Sequence, residues 1–284
     1  MEMKTDYLVD LHMHSRASDG TDEIPELLSK VRAAGIRVFS VTDHDTIEGA
    51  MQMEKLVPKD MRFIPGIEFS CITKADKCHI LAYGYHREQG SFESILRKGH
   101  NKRRNKLRRR LDFMRKEFGI ELSGEEVERL MSSSSVGKPH LGNLLVSLGY
   151  AETKNEAINK YINPCKTESD RLDAGEVIEA IRSAGGIPVW AHPFGGTSER
   201  ERSEEEFEEQ LQILTAAGLM GLECYYSKYT KEQVAFLTKA AAREKLLVSG
   251  GSDYHGSNKT VQLGSLNSYE ERVEITALTV LDKL

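Results

Sequence analysis

His12 and His14 stand one residue apart at the end of a short apolar run, Leu8-Val-Asp-Leu11. In an extended chain this spacing sends both imidazoles to the same side. Two imidazoles on one side can grip a metal ion, although a single HxH pair is also what chance leaves on a surface. Here the pair has company. Asp19 sits in Ser18-Asp-Gly20, His44 in Thr42-Asp-His44, Glu68 in Gly66-Ile-Glu68 and His79 at the start of an apolar run. His192 follows in Ala191-His-Pro193, and Asp253 and His255 close the series in Ser252-Asp-Tyr-His255. Six of the nine histidines fall in this set, and imidazole with carboxylate oxygen suits manganese, iron or zinc better than magnesium alone.

Such scattered residues need elements to bring them together. Apolar runs rich in β-formers occur at 7–11, 37–41, 62–65, 79–83, 187–190, 221–224 and 246–249, and amphipathic segments such as 24–34 lie between most of them. Gly35 and Gly218 follow such segments as helix stops. Strand and helix in alternation predict an α/β fold of parallel strands with crossover helices. Nearly every candidate ligand then falls at a strand end, and strand ends on one face of a parallel barrel converge. The segment 91–166 breaks the rhythm with helical patterns only, at 92–118, 124–131, 140–148 and 154–162, and a serine run at 132–135 reads as a loop between two of them. The expected organisation is a barrel domain from 1–90 and 167–284, with 91–166 as an all-helical insertion capping the substrate.

Bulk properties fit a folded chain with a sizeable core: 284 residues, 39% hydrophobic and 29% charged. The net charge of -5 hides a basic run at 97–116, where eleven of twenty residues are Lys or Arg, and an acidic run at 199–209. Cys71, Cys78, Cys165 and Cys224 form no CxxC pair and read as small buried hydrophobes. No secretory leader and no apolar stretch of about 18 to 20 residues is visible, which predicts a cytoplasmic protein without a membrane partner.

Taken together, His12-x-His14, Thr42-Asp-His44, Glu68, His79, Ala191-His-Pro193 and Asp253-x-His255 resemble the metal motifs of the PHP (polymerase and histidinol phosphatase) superfamily. The opening His14-Ser-Arg-Ala-Ser-Asp-Gly20 and the place of the helical insertion resemble its branch of nucleotide and RNA phosphoesterases. The resemblance implies a distorted (β/α)7 barrel, TIM-like in plan, and three divalent metal ions, manganese, iron or zinc. It assigns His12, His14, Glu68 and Asp253 to the first metal, Glu68, His79 and His192 to the second, and Asp19, His44 and His255 to the third. Glu68, Asp253 and His255 become the expected catalytic residues, with a metal-activated water as nucleophile. The implied substrates are 3',5'-bisphosphate nucleosides or the 5' end of short RNA, with no protein partner. Two stretches depart from relatives: Phe194-Gly-Gly196 replaces a frequent Gly-Arg, and Ser227-Lys-Tyr229 stands where a histidine is common.

For substrate contact, Arg16 is the expected grip on a remote phosphate, because guanidinium binds phosphate in a fork. Lys138 and His140, beside the start of a helix, are a second expected anion contact. In the basic run, Leu107, Leu111 and Met114 form an apolar seam, so the charges are either a solvated face or a track for a polyanion. Tyr225, Tyr226 and Tyr229 are either core aromatics or base-stacking platforms. Asp43 and Asp45 are expected to support their neighbour His44, while His86 and His100 carry no motif. Three alternatives stay open: a histidinol-phosphatase-like enzyme, an amidohydrolase-type barrel, which would leave Asp19, Glu68, His79 and His255 without roles, and a catalytically silent PHP module. About three ions per chain would support the phosphoesterase, one or two the amidohydrolase and none the silent module.

Overall fold

The computed structural model describes residues 8–132, 135–166, 170–196 and 200–284. Tyr7 of the first expected strand, Ser133 and Ser134 of the serine run, and Glu199 at the head of the acidic run lie outside them. Strand β1 (Leu8–Asp10) pairs in parallel with β2 (Ile36–Phe39) after helix α1 (Ile24–Ala33), and β3 (Arg62–Phe63) adds to β2 after α2 (Glu48–Leu56). Helix α1 starts with proline in its first turn and buries Ile24, Leu27 and Val31, one stripe at helical spacing. A second sheet has the order β6-β4-β5-β7-β8-β9, from β4 (Gly66–Ile72), β5 (Lys77–Tyr83), β6 (Leu172–Asp173), β7 (Ile187–Trp190), β8 (Gly221–Tyr226) and β9 (Leu247–Gly251).

Backbone hydrogen bonds join the two sheets on both sides. Asp45 N donates to Glu68 O at 2.9 Å, linking the end of β2 to β4; Leu11 N donates to Gly250 O at 3.2 Å and His14 N to Tyr254 O at 2.8 Å, linking β1 to β9. Seven strands, β1, β2, β4, β5, β7, β8 and β9, thus form the distorted barrel, and β3 and β6 are short additions. The close approach of β9 to β1 needs Gly251, where an added Cβ would lie 2.3 Å from His12 Cβ and 2.4 Å from His12 N.

One expectation is corrected here. The strands are not all parallel: β5 runs antiparallel to both β4 and β7. The cause is local, because β4 and β5 are joined by a tight polar turn, Thr73 N to Asp76 O at 2.9 Å, with no room for a crossover helix. Two strands, β4 and β6, also escaped the periodicity reading; β6 has only two residues, and β4 is a continuous buried run.

Alternation on β5 shows how the barrel is filled. Leu81 and Tyr83 join Val9, Leu11, Val38, Ile187 and Val189 in one cluster, while Ile80 and Ala82 face the other way, into a larger cluster with α7 (Ala174–Ser183), α8 (Glu204–Ala216) and α9 (Lys231–Glu244). The acidic run is explained by α8, whose first turn holds Glu204, Glu205 and Glu206 behind a Ser203 cap, where carboxylates meet the positive end of the helix dipole. Cys71, Cys78 and Cys224 are buried thiols outside any disulfide among the described residues, and Cys165 is a partly exposed one.

Helix α3 (Gly90–Phe118) carries the chain out of the barrel and is followed by α4 (Gly124–Ser132), α5 (Lys138–Ser147) and α6 (Lys154–Ala157), which runs on into a π turn at Ile158–Ile162. Near its start, Phe92 and Ile95 belong to the barrel's core; further on, Leu107 and Met114 belong to a separate cluster with Leu141, Leu145, Tyr161 and Ile162. One continuous helix is therefore shared between two cores.

Candidate metal centre

At one end of the barrel the strands deliver the candidate ligands to a common point. Glu68, on β4, is at the middle of them. Its Oε2 lies 3.3 Å from His12 Nε2, 3.1 Å from His14 Nε2 and 3.1 Å from His44 Nδ1. Its Oε1 lies 3.0 Å from both His79 Nδ1 and His192 Nε2. The reversal of β5 explains why His79 takes part from the start of its strand whereas His192 does so from just beyond the end of β7.

Asp253 closes the other side. Its Oδ1 is 3.6 Å from His12 Nε2, 3.4 Å from His14 Nε2 and 3.3 Å from His255 Nδ1. Its Oδ2 is taken by Tyr226 Oη at 2.8 Å and Lys259 Nζ at 2.5 Å, so one oxygen is left for the cluster. Asp19 Oδ1 is 3.2 Å from His255 Nε2 and 3.7 Å from His14 Nδ1, and Asp19 Oδ2 is 3.9 Å from His44 Nε2. All nine candidate ligands meet in one place, and three subsets of them, His14 with Asp19, His44 and His255, His12 with His14 and Asp253, and His44 with Glu68 and His79, have ligand atoms within 4.8 Å of one another. Two of these residues are held in left-handed backbone conformations, His192 at φ 30° and Asp253 at φ 58°, a cost found where surrounding structure enforces a functional geometry.

Burial and charge set the protonation of this cluster. Burial alone would raise the carboxyl groups of Asp19, Glu68 and Asp253, but the surrounding imidazoles, with Lys259 for Asp253, hold all three well below the usual carboxylate range. Burial opposes protonation of His12 and His14 too, yet the carboxylates of Glu223, Glu68 and Asp253 outweigh it: His12 is well above its ordinary value and His14 is raised to about 9. His44 and His255 go the other way, driven down by burial, with His14 adding to the effect.

The donor set fits divalent cations. His12 Nε2 and His14 Nε2 face each other at 3.1 Å, a geometry that needs a proton or a cation between two lone pairs. His44 Nδ1 and Asp19 Oδ1 are buried, 3.1 Å from Glu68 Oε2 and 3.2 Å from His255 Nε2, yet neither is in hydrogen-bond geometry. Buried ligand atoms left without a hydrogen bond are available to a cation.

Supporting residues hold these groups in place. Glu223 on β8 accepts from His12 Nδ1 at 2.8 Å through Oε1 and from the His192 backbone N–H at 2.6 Å through Oε2. That contact fixes Nε2 of His12 as the atom facing the cluster. Asp43 accepts from Ser15 N, Ser15 Oγ and Ser18 Oγ, and Asp45 accepts from Ser70 N at 2.9 Å and Arg103 Nε at 2.5 Å. Glu223, Lys259 and Arg103 were not singled out from the sequence, and Tyr226 was read only as a core aromatic or a stacking platform. A glutamate inside an otherwise apolar strand was the available signal for the first, since an unpaired buried carboxylate is costly.

The substrate contacts expected from sequence fare unevenly. A cleft of about 680 Å³ opens over the cluster, and Lys138 lines it, with its Nζ on Asn163 Oδ1 at 2.6 Å. Arg16 does not reach it: its side chain is 66% exposed and pairs with Glu23 at 3.0 Å. His140 is turned back to cap its own helix, accepting from Gly137 N through Nδ1 at 3.1 Å. Tyr226 and Tyr229 are buried, which rules out base stacking by them, and Tyr225 is half-buried in β8. The two departures from relatives touch each other: Phe194 N donates to Tyr229 Oη at 2.8 Å, and Phe194 is buried against Phe207 and Tyr229. They are a packing pair.

Residues 10–163, over half of the chain, match the PHP domain. The chain belongs to the PHP family. His192, Asp253 and His255 lie beyond that match, but relatives of known activity extend over them. The PHP chain is 28% identical over 255 residues to a phosphoribosyl 1,2-cyclic phosphate 1,2-diphosphodiesterase of Eggerthella lenta, covering 87% of this chain and 94% of that one. It is 28% identical over 261 residues to a 5'-3' exoribonuclease of Haemophilus influenzae, covering 90% and 92%. A 3',5'-nucleoside bisphosphate phosphatase of Chromobacterium violaceum is 24% identical over 252 residues, covering 87% of each. Among solved structures, a protein of Bifidobacterium adolescentis superposes with a TM-score of 0.79 at 27% identity, covering 99% of this chain and 97% of the other. The PHP chain is a metal-dependent phosphoric ester hydrolase. No helix among the described residues is long and apolar enough to cross a membrane.

Proposed function

We propose that this PHP protein hydrolyses phosphate esters of nucleotides, either 3',5'-bisphosphate nucleosides or the 5' end of short RNA, with three divalent metal ions, manganese, iron or zinc, as cofactors. The observation that carries the reading is the placement of Glu68, whose two oxygens each face a different set of imidazoles beneath a cleft lined by cations. His12, His14, Glu68 and Asp253 would hold the first metal, Glu68, His79 and His192 the second, and Asp19, His44 and His255 the third. When bound, such ions lower the pKa of water toward 7 and neutralise charge on a phosphoryl group.

The protein's own part is orientation. Asp253 is kept in one rotamer by Tyr226 and Lys259, and Glu223 keeps His12 in one tautomer. Catalytic roles fall to Glu68, Asp253 and His255. Lys138 at the cleft rim adds positive charge for an anionic substrate; Arg16 and His140 are not assigned to substrate, because one points to solvent and the other caps a helix. The helical segment 91–166 acts as the substrate cap on a barrel formed by 1–90 and 167–284.

The test is a phosphate-release screen with manganese added, over adenosine 3',5'-bisphosphate, 5'-phosphorylated oligonucleotides, a phosphoribosyl cyclic phosphate and histidinol phosphate. Turnover of the first two groups above the others is the expected result. Preference for histidinol phosphate would move the assignment to amino-acid biosynthesis, and no cleavage of any ester by metal-loaded protein would end it.

A further inference from the structure

Three asparagines, Asn155, Asn159 and Asn163, are among the residues that line the cleft above the metal ligands. They stand at spacings of four along α6 and the π turn that continues it. In an α-helix of about 3.6 residues per turn, each such step overshoots a full turn by about 40°, so the first and third would diverge by about 80°. The π turn at Ile158–Ile162, closed by Asn163 N on Ile158 O at 2.8 Å, is wider and takes back part of that drift. It keeps the three side chains in one row. All three are exposed in the cleft, and Ile158 lines it beside them as an apolar surface.

Hydrogen bonding fixes what this row offers. Lys138 Nζ can only donate, so the atom of Asn163 that it meets at 2.6 Å is Oδ1. Asn163 Nδ2 is thereby turned to Asn159 and donates to its Oδ1 at 2.9 Å. Asn159 is left with its Nδ2, a donor without a partner among the described residues. The Asn155 amide makes no hydrogen bond among them, so it is open to accept or to donate. The row is also tied to the metal ligands: Lys154 Nζ, at the start of α6, donates to Asn258 Oδ1 at 2.7 Å, and Asn258 Nδ2 donates to Asp19 O at 2.8 Å. A group bound at the amides is therefore held at a set distance from the ligand cluster.

We infer that Asn155 and Asn159 form a nucleobase subsite that selects bases with a carbonyl beside a ring N–H, guanine and uracil, over the amino bases adenine and cytosine. The inference rests on the proposed reading of the metal centre as a nucleotide phosphoesterase site, and it adds which nucleoside that site takes. The exocyclic oxygen of guanine or uracil accepts from Asn159 Nδ2, and the neighbouring ring N–H donates to Asn155 Oδ1. Adenine and cytosine carry an amino group at the same place, so two N–H donors meet and neither is satisfied. Because the amides are uncharged, they read the base edge and leave the phosphates to the lysine and arginines of the cleft.

The experiment uses the full chain with manganese and the 3',5'-bisphosphates of guanosine, uridine, adenosine and cytidine, which carry the same phosphates and differ in the base. Wild type should favour guanosine and uridine in kcat/KM by about 5- to 20-fold, the effect of one unsatisfied donor. Asn159→Ala should flatten that preference. Asn159→Asp, which puts an acceptor where the donor stood, should reverse it toward adenosine and cytidine, an outcome that a merely structural asparagine would not produce. Asn155→Ala should remove part of the preference. Equal kcat/KM on all four substrates in wild type, or variants that slow all four by one factor, would overturn the subsite. If wild type cleaves none of the four, the proposed function fails, and melting shifts with guanosine and adenosine 5'-monophosphates decide the subsite by themselves. A larger shift with guanosine that is lost in Asn159→Ala upholds it; equal or absent shifts overturn it.

Discussion

The floor of the cleft and its wall are electrostatic opposites. On the floor, three carboxylates and six imidazoles sit within reach of one another, and Glu223, Tyr226, Lys259 and Asp43 brace them from behind. On the wall, Arg103, Lys106, Arg110 and Arg171 face the same space with most local carboxylates already spoken for. A floor rich in ligands asks for cations, and a wall rich in cations asks for anions. The lesson is that burial of charge, a liability in a structural core, becomes selectivity when each cluster is left short of a different partner.

The contrast can be broken at its strongest point first. Glu68→Ala removes the carboxylate shared by two ligand sets, and phosphate release should fall by at least about 1000-fold, as for loss of a central charge-stabilising group. Bound metal measured on the same sample should fall with it; turnover near wild type would mean that the floor is not the reactive site. Next, Glu223→Ala frees His12 Nδ1 and the His192 backbone, and metal affinity should drop about 10- to 100-fold, the usual effect of removing a supporting partner. Circular dichroism should stay unchanged, and Glu223→Gln should recover part of the affinity, since it still accepts one hydrogen bond.

A pH series sharpens the same comparison. His14 stands at about 9 in the metal-free fold, against about 6.5 in an unfolded chain. Its protonation therefore stabilises the metal-free protein fully below about pH 6.5, and that stabilisation is lost as pH rises through about 9. A metal must displace that proton, so manganese affinity should rise by at least about tenfold per pH unit between pH 6.5 and 9, with His12, also held above its ordinary value, adding to the dependence. The melting shift caused by manganese, recorded at several pH values, reads this directly; a shift independent of pH would refute it. The smallest effect is expected at Arg16, whose ion pair with Glu23 is exposed on both sides. Arg16→Ala should change kcat/KM by less than about twofold, in line with the small worth of surface pairs.

The metal floor was legible in the sequence because ligand chemistry is fixed by residue type and because strand ends repeat the same local grammar. His12-x-His14, Thr42-Asp-His44 and Asp253-x-His255 announce themselves without any knowledge of pairing. The direction of β5 was not legible by periodicity, since a buried strand reads the same in either direction; only the Thr73–Asp76 turn carried the information. The wall was half legible. The basic run was visible, but which of its eleven cations turn inward depends on how α3 lies on the barrel, seen at Gly99, where a Cβ would meet Leu172 and Asp45. At Arg16 and His140 the sequence could not show the nearer partner each side chain has, Glu23 in one case and the backbone of Gly137 in the other.

Helix α3 is rooted in the barrel by Phe92 and Ile95 and in the helical segment by Leu107 and Met114, with the inward cations between and beside them. An unbroken rod of 29 residues has no joint, because bending it would rupture successive i to i-4 bonds. It works as a calliper whose jaw is set at folding, so the distance between the cationic wall and the ligand-bearing strand ends is fixed without any moving part.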